Sequence, residues 1–241
     1  MTADNTTDEK GTCPCSQGMD RRGFLKAAAV AGLLAGCNPV LQTPPPTAAP
    51  TATDTPQPTP EPPKETKVPD LKGKKVLYVL PREQYAVQCH EASEKPLKEY
   101  GAKITLAAAE KKEIIVWGGG NPSLMPDVLV GEVKVEEYDA VIFECGQPLE
   151  IDNADYLNIA KEAVRQNKVV GAICMMPVLL AAAGVLDGKK ATSNGTDMPT
   201  LQRYGAVLDF YNDPVRDGNI ITSSFGGEEK FGKLIVEALM E

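Results

Sequence analysis

Cys174 closes the apolar run Val169-Val170-Gly171-Ala172-Ile173 and is followed at once by Met175-Met176-Pro177. The run has β-branched residues and no polar alternation, so it reads as a strand covered on both faces, as in a parallel sheet. Pro177 fits the first turn of a helix, where its missing N–H would have had no partner. Leu179, Leu180, Ala183 and Leu186 continue at helical spacing, and Gly184 weakens the far end. This order places Cys174 beside a helix N-terminus, whose partial positive charge favours thiolate over thiol. Local pattern leaves two readings open: a nucleophile or redox centre, or a small buried hydrophobe. His90 is the only histidine, so cysteine–histidine chemistry within one chain must use it. Its place at the start of a helix predicts an exposed side chain.

Six cysteines are present, and three of them lie at or before residue 37. Cys89, Cys145 and Cys174 are widely spaced and lack a Cys-x-x-Cys pair, so neither a disulfide framework nor a zinc site is expected. The formal net charge of −8 argues against a nucleic-acid partner, since phosphates require a basic surface. No Gly-x-Gly-x-x-Gly opens a helix after the first strand, and Gly118-Gly119-Gly120 lacks a following helix and Lys-Ser/Thr. No cofactor or metal is therefore expected.

The N-terminus carries an address. Asp20-Arg21-Arg22-Gly23-Phe24-Leu25-Lys26 precedes the short apolar segment 27–35 and matches the layout of twin-arginine export signals. That segment is too short to span a bilayer. Leu34-Ala35-Gly36-Cys37 resembles a bacterial lipobox, in which Cys37 is lipidated and becomes the mature N-terminus. Residues 1–37 are thus expected to engage the twin-arginine export machinery through Arg21 and Arg22. Lipid on Cys37 would hold the product on the outer face of the prokaryotic cell membrane. Residues 38–69 follow as a stalk, with ten of the chain's 20 prolines between Pro44 and Pro69 and almost no large apolar residue.

Residues 70–241 are expected to form one domain. Strands are predicted at 76–80, 103–107, 139–143, 169–173, 206–210 and 220–223, with a short one near 114–117. Helices are predicted at 91–100, at 155–166 with Leu157, Ala160 and Val164 on one face, and at 228–240 with a stripe of Phe231, Leu234, Ile235, Ala238 and Leu239. This alternation predicts an α/β three-layer sandwich with a mostly parallel sheet and helices on both faces. In such sheets ligands bind at the carboxyl ends of strands, where Cys174 and Cys145-Gly146 both fall.

Gly171-Ala172-Ile173-Cys174-x-x-Pro177, the apolar helix behind it and Gly188-Lys189-Lys190-Ala191-Thr192-Ser193 resemble the ThiJ/PfpI proteins of the class I glutamine amidotransferase-like superfamily. The likeness runs from about Lys74 to Glu241, and takes in Pro126-Asp127-Val128-Leu129 and Asp217-Gly218-Asn219-Ile220-Ile221-Thr222-Ser223. It implies a flavodoxin-like fold, a homodimer as an available state, and a nucleophile at Cys174 followed by Met175, whose backbone N–H would serve the site. Met176 replaces the usual glycine. The family's Pro-Gly-Gly oxyanion segment is Glu144-Cys145-Gly146 here, so Gly146 survives. The family's first-strand glutamate aligns with Gln88 or Cys89, leaving Glu83 and Glu91 as neighbouring candidates.

Two functions follow from these residues. One is cysteine-dependent chemistry on a small molecule, of a glyoxalase, deglycase, amidase or redox-responsive kind, with Cys174 as nucleophile and Gly146 N–H as oxyanion donor. The other is a surface-tethered binding module that keeps the fold without the machinery.

Overall fold

The computed structural model describes residues 68–241, apart from Gly118 and Gly120. The export arginines Arg21 and Arg22, the lipidation site Cys37 and the stalk as far as residue 67 lie outside the described residues. Among the described residues, no helix is long and apolar enough to cross a membrane.

The chain enters through β1 (Lys75–Val79), whose residues alternate between two cores. Val76 and Tyr78 face one side, and Leu77 and Val79 the other. After β2 (Gln84–Tyr85), helix α1 (Val87–Glu99) returns the chain to β3 (Lys103–Ala108). Strands β4 (Ile114–Val116), β5 (Ser123–Leu124) and β6 (Val128–Leu129) follow, then β7 (Ala140–Phe143) and β8 (Gly146–Gln147). Helix α2 (Ala154–Arg165) is capped by the Asn153 side chain, which accepts from Asp155 N–H at 3.0 Å. It leads to β9 (Val169–Ile173) and α3 (Pro177–Ala182). The chain ends through β10 (Lys190–Ala191), α4 (Met198–Arg203), β11 (Val207–Leu208), β12 (Val215–Asp217), β13 (Ile220–Ser223) and α5 (Glu228–Met240).

The seven-stranded sheet has the order β12-β13-β9-β7-β1-β3-β6 and is parallel except where β12 pairs with β13. Helices α1 and α5 pack on one face, where Phe231 and Ile235 meet Tyr78 and Ile142. Gly171 in β9 permits that approach, since a Cβ there would lie 2.9 Å from Phe231 Cζ. Helices α2, α3 and α4 cover the other face around Leu77, Val141 and Phe143. Each fully buried Leu, Ile or Phe side chain contributes about 1.5–3 kcal/mol. The expected α/β three-layer, flavodoxin-like architecture is therefore the observed one.

Several local expectations need correction. Helix α1 begins at Val87 instead of Glu91, and its N-cap, Ala86, offers no side-chain hydrogen bond that the sequence could advertise. The buried face of α2 is Tyr156, Ile159, Ala160 and Ala163, with Leu157 and Val164 only partly covered. Tyr156 turns the helix inward because its hydroxyl donates to Leu80 O at 2.8 Å and accepts from Ala109 N–H at 3.1 Å. Helix α3 stops at Ala182, where Gly184 takes φ +75°, so Leu186 lies beyond it. The strand predicted over 206–210 shrinks to β11, which pairs with β10 apart from the main sheet. Short strands also build a second sheet, β5-β4-β2-β8, next to the ends of β1 and β7.

Candidate active site

Cys174 occupies the turn between β9 and α3 with φ +66°, a conformation L residues rarely adopt. Holding a non-glycine residue there costs about 1–3 kcal/mol and requires surrounding structure to over-determine it. That structure is present. Cys174 N–H donates to Ser223 O at 2.9 Å, and its carbonyl accepts Ser193 Oγ at 2.7 Å and Asn194 N–H at 3.4 Å. Met176 N–H closes the turn onto Ile173 O at 3.1 Å, and Pro177 opens α3.

Cys174 is 4% exposed. Asn194 Nδ2 donates to the sulfur at 3.4 Å, and Cys145 and Cys89 share its buried cluster. The Cys145 thiol does most to bring the Cys174 pKa down to about 3, with Cys89 next. Burial opposes them, and Asn194 and Met175 add to the lowering. The same interactions push the Cys145 and Cys89 thiols up, Cys145 through Cys174 and Cys89 chiefly through Cys145. Of the three sulfurs, Cys174 is the one whose ionisation is favoured, and Cys145 and Cys89 are held toward the thiol form. As expected, Cys174 lies three residues before Pro177, the first residue of α3.

His90 is buried, not exposed as its predicted position implied, because α1 starts a turn early and carries it inward. Its Nδ1 lies 3.3 Å from Glu144 Oε2 and its Nε2 3.7 Å from Glu94 Oε1, with Tyr78 and Tyr85 edge-on to the ring. Burial alone would lower the His90 pKa, but the Glu144 hydrogen bond and charge outweigh it and raise the value. Glu144 is itself fully buried; its Oε1 accepts Cys145 N–H at 3.0 Å, and burial pushes its pKa up despite His90. Both ring nitrogens face carboxylates, so His90 is not hydrogen-bonded to the elbow sulfur.

The two candidate glutamates stay outside. Glu83 and Glu91 are exposed, and Gln88 is exposed one residue before Cys89. Cys89 is the α1 residue that turns to the elbow, and its Sγ lies 3.9 Å from Glu228 Oε1 on α5. Gly146 sits in β8 opposite Tyr85, so tightly packed that a Cβ would lie 2.4 Å from Pro81 Cγ and closer still to Gln84 O. Sequence reasoning missed Glu144 as the partner of His90, Cys89 and Cys145 as partners of Cys174, and Asn194 altogether. The hints were the placement of Cys145 after a strand end and the alignment of Gln88 or Cys89 with the family's glutamate.

A parallel α/β sandwich with a cysteine at a strained strand-to-helix turn defines a class of elbow-cysteine proteins. A model of the DJ-1/PfpI family matches residues 74–238, and the chain belongs to that family. It is 34% identical over 134 residues to deglycase PfpI of Pyrococcus furiosus, covering 55% of this chain and 79% of that protein. It is 32% identical over 130 residues to protein MJ0967 of Methanocaldococcus jannaschii, covering 51% of this chain but only 61% of that relative's length. Among solved structures, the ThiJ/PfpI domain protein from Brachyspira murdochii superposes with TM-score 0.65 at 24% identity, over 68% of this chain and 95% of that one. That likeness carries the fold.

Proposed function

We propose that this chain is a cysteine-dependent, deglycase-like enzyme acting on small electrophilic carbonyl compounds such as α-oxoaldehydes or their amine adducts. The carrying observation is the Cys174 sulfur, held at a strained turn with Asn194 Nδ2 3.4 Å away and its pKa brought down by the neighbouring cysteines. Relatives named deglycases, at about a third identity, support the substrate class. Because the sulfur is already thiolate at neutral pH, attack needs no general base. The sulfur adds to the aldehyde carbon, a C–S bond forms and the C=O π pair moves to oxygen. Met175 N–H, and Gly146 N–H as the family resemblance implies, are the donors for that oxyanion. The test is turnover of an α-oxoaldehyde and of its adduct with a free amino acid, followed as release of the 2-hydroxy acid. Rates no higher than the protein-free blank with both substrates reject the proposal.

A second reading, a binding module with an inert elbow, draws on the near-complete burial of Cys174 and on the absence, among the described residues, of a carboxylate hydrogen-bonded to its sulfur. Alkylation separates the two, since an inert buried thiol does not react with iodoacetamide at neutral pH.

For location, we propose export through Arg21 and Arg22, lipidation of Cys37, and a stalk over 38–69 that carries the domain of 70–241 on the outer face of the membrane. Mass spectrometry of the membrane fraction should find a diacylglyceryl group on Cys37, and Cys37→Ala should move the protein to the soluble fraction. An unmodified Cys37 in membrane-bound protein is the contrary result.

A further inference from the structure

The mechanism above uses one sulfur of three. Cys145 stands, by alignment, where the family resemblance puts a glycine, and Cys89 is one of the two residues, with Gln88, that align with its glutamate. Strands β7 and β9 pair in parallel with Phe143 opposite Ala172. The ladder ends there, and Cys145 and Cys174 each lie two residues further on, at the carboxyl ends of these neighbouring strands. Neighbouring strands run about 4.7–4.9 Å apart, inside the Cα separation of about 4.4–6.8 Å that a disulfide spans. Both residues belong to one buried cluster, and both are free thiols. Cys89 reaches the cluster from α1, and its Sγ also lies 3.9 Å from Glu228 Oε1.

We propose that Cys174 and Cys145 form a hydroperoxide-reducing pair, Cys174 being the sulfur oxidised and Cys145 the thiol that resolves it. The proposal rests on the reading of Cys174 as a reactive thiolate. Its sulfur attacks one oxygen of a hydroperoxide; the S–O bond forms, the O–O bond breaks, and the departing alkoxide or hydroxide takes the Cys145 proton. The Cys145 thiolate then attacks the Cys174 sulfur. The S–S bond forms, the S–O bond breaks, and the hydroxide released takes a proton from solvent. Two sulfurs lose one electron each, and the peroxide becomes an alcohol or water and one further water. An external dithiol resets the pair. The 4% exposure of Cys174 restricts the oxidant to a small one such as hydrogen peroxide.

The full chain is treated with one equivalent of hydrogen peroxide, quenched with an alkylating agent and mapped without reduction, which keeps Cys13, Cys15 and Cys37 apart from the cluster. The expected result is a Cys145–Cys174 linked peptide. In Cys145→Ser, which keeps a hydroxyl donor beside Cys174, Cys174 should instead be trapped as sulfenic acid by a cyclic 1,3-dione. It should then proceed to sulfinic acid about tenfold faster than in the parent chain. Cys89→Ser should still form the linked peptide. The proposal is overturned by equal sulfinic acid formation in the parent and Cys145→Ser, or by a Cys89–Cys174 link as the main product. Oxidation of Cys174 without a link leaves the thiolate reading intact. A Cys174 inert to both peroxide and iodoacetamide removes both.

Discussion

A Cys174→Ser chain is expected to lose at least about 10³-fold in turnover of carbonyl substrates while keeping its fold. Serine preserves the size of the side chain, the Ser223 and Ser193 bonds to its backbone, and an acceptor for Asn194 Nδ2. It cannot supply an ionised nucleophile, because a hydroxyl stays protonated where the Cys174 thiol, with its pKa near 3, does not. The same ionisation predicts a pH profile. Alkylation of Cys174 in the parent chain should be nearly flat from pH 5 to 8, whereas an ordinary cysteine, with pKa about 8.5, gains close to tenfold per pH unit. A rate that climbs tenfold per unit would show Cys174 to be an ordinary thiol.

Stability carries a matching signature. The Cys174 pKa is depressed from 9.0, so its contribution is full above pH 9 and is lost as pH falls toward about 3. Between those limits the unfolded chain binds more protons than the folded one. The parent should therefore gain stability over Cys174→Ser as pH rises, by at most about 1.4 kcal/mol per unit. Urea midpoints at pH 5 and pH 8 measure it.

How much of this was legible in the sequence follows from what one-dimensional pattern encodes. Val76 to Leu80, Asp139 to Phe143 and Val169 to Ile173 announce themselves as buried strands because parallel strands are covered on both faces. Cys174 was readable because β-branched residues precede it and Pro177 follows it. The family resemblance then placed Gly146 and the Glu144-Cys145 departure. Convergence was not readable. Cys89, Cys145 and Cys174 meet because β7 and β9 are neighbours and α1 crosses beside them, and no spacing along the chain records that. His90 was misplaced for a local reason. Helix α1 starts behind Ala86, without a Ser, Thr, Asp or Asn cap, so its true first turn carries no signal. Tyr156 rotated α2 in a similar way, through hydrogen bonds to Leu80 and Ala109 that are invisible to periodicity.

The buried pair behind the elbow yields the other large effect. His90 and Glu144 are 4% and 0% exposed, and Glu144 also fastens Cys145 N–H. Replacing His90 with alanine leaves a buried carboxyl facing a void, and loss of one partner of such a pair costs about 3–5 kcal/mol at neutral pH. The double variant His90→Gln/Glu144→Gln keeps neutral donors and acceptors in place, so it should cost less than His90→Ala alone. The pH dependence has a definite sign. The His90 pKa is raised above 6.5, so its stabilisation is full below that value and is lost as pH rises through the folded pKa. The Glu144 pKa is raised above 4.5, which makes its contribution also largest at low pH and smaller as pH rises. Both therefore act in one direction, opposite to Cys174. Since the double variant retains Cys174, that opposing contribution is shared, and the parent's advantage over the double variant should shrink steadily from pH 5 to pH 8. Urea unfolding of the three chains at both pH values decides it. An advantage that grows with pH, or a double variant less stable than His90→Ala, would mean that the His90–Glu144 pair does not stabilise the fold in this way.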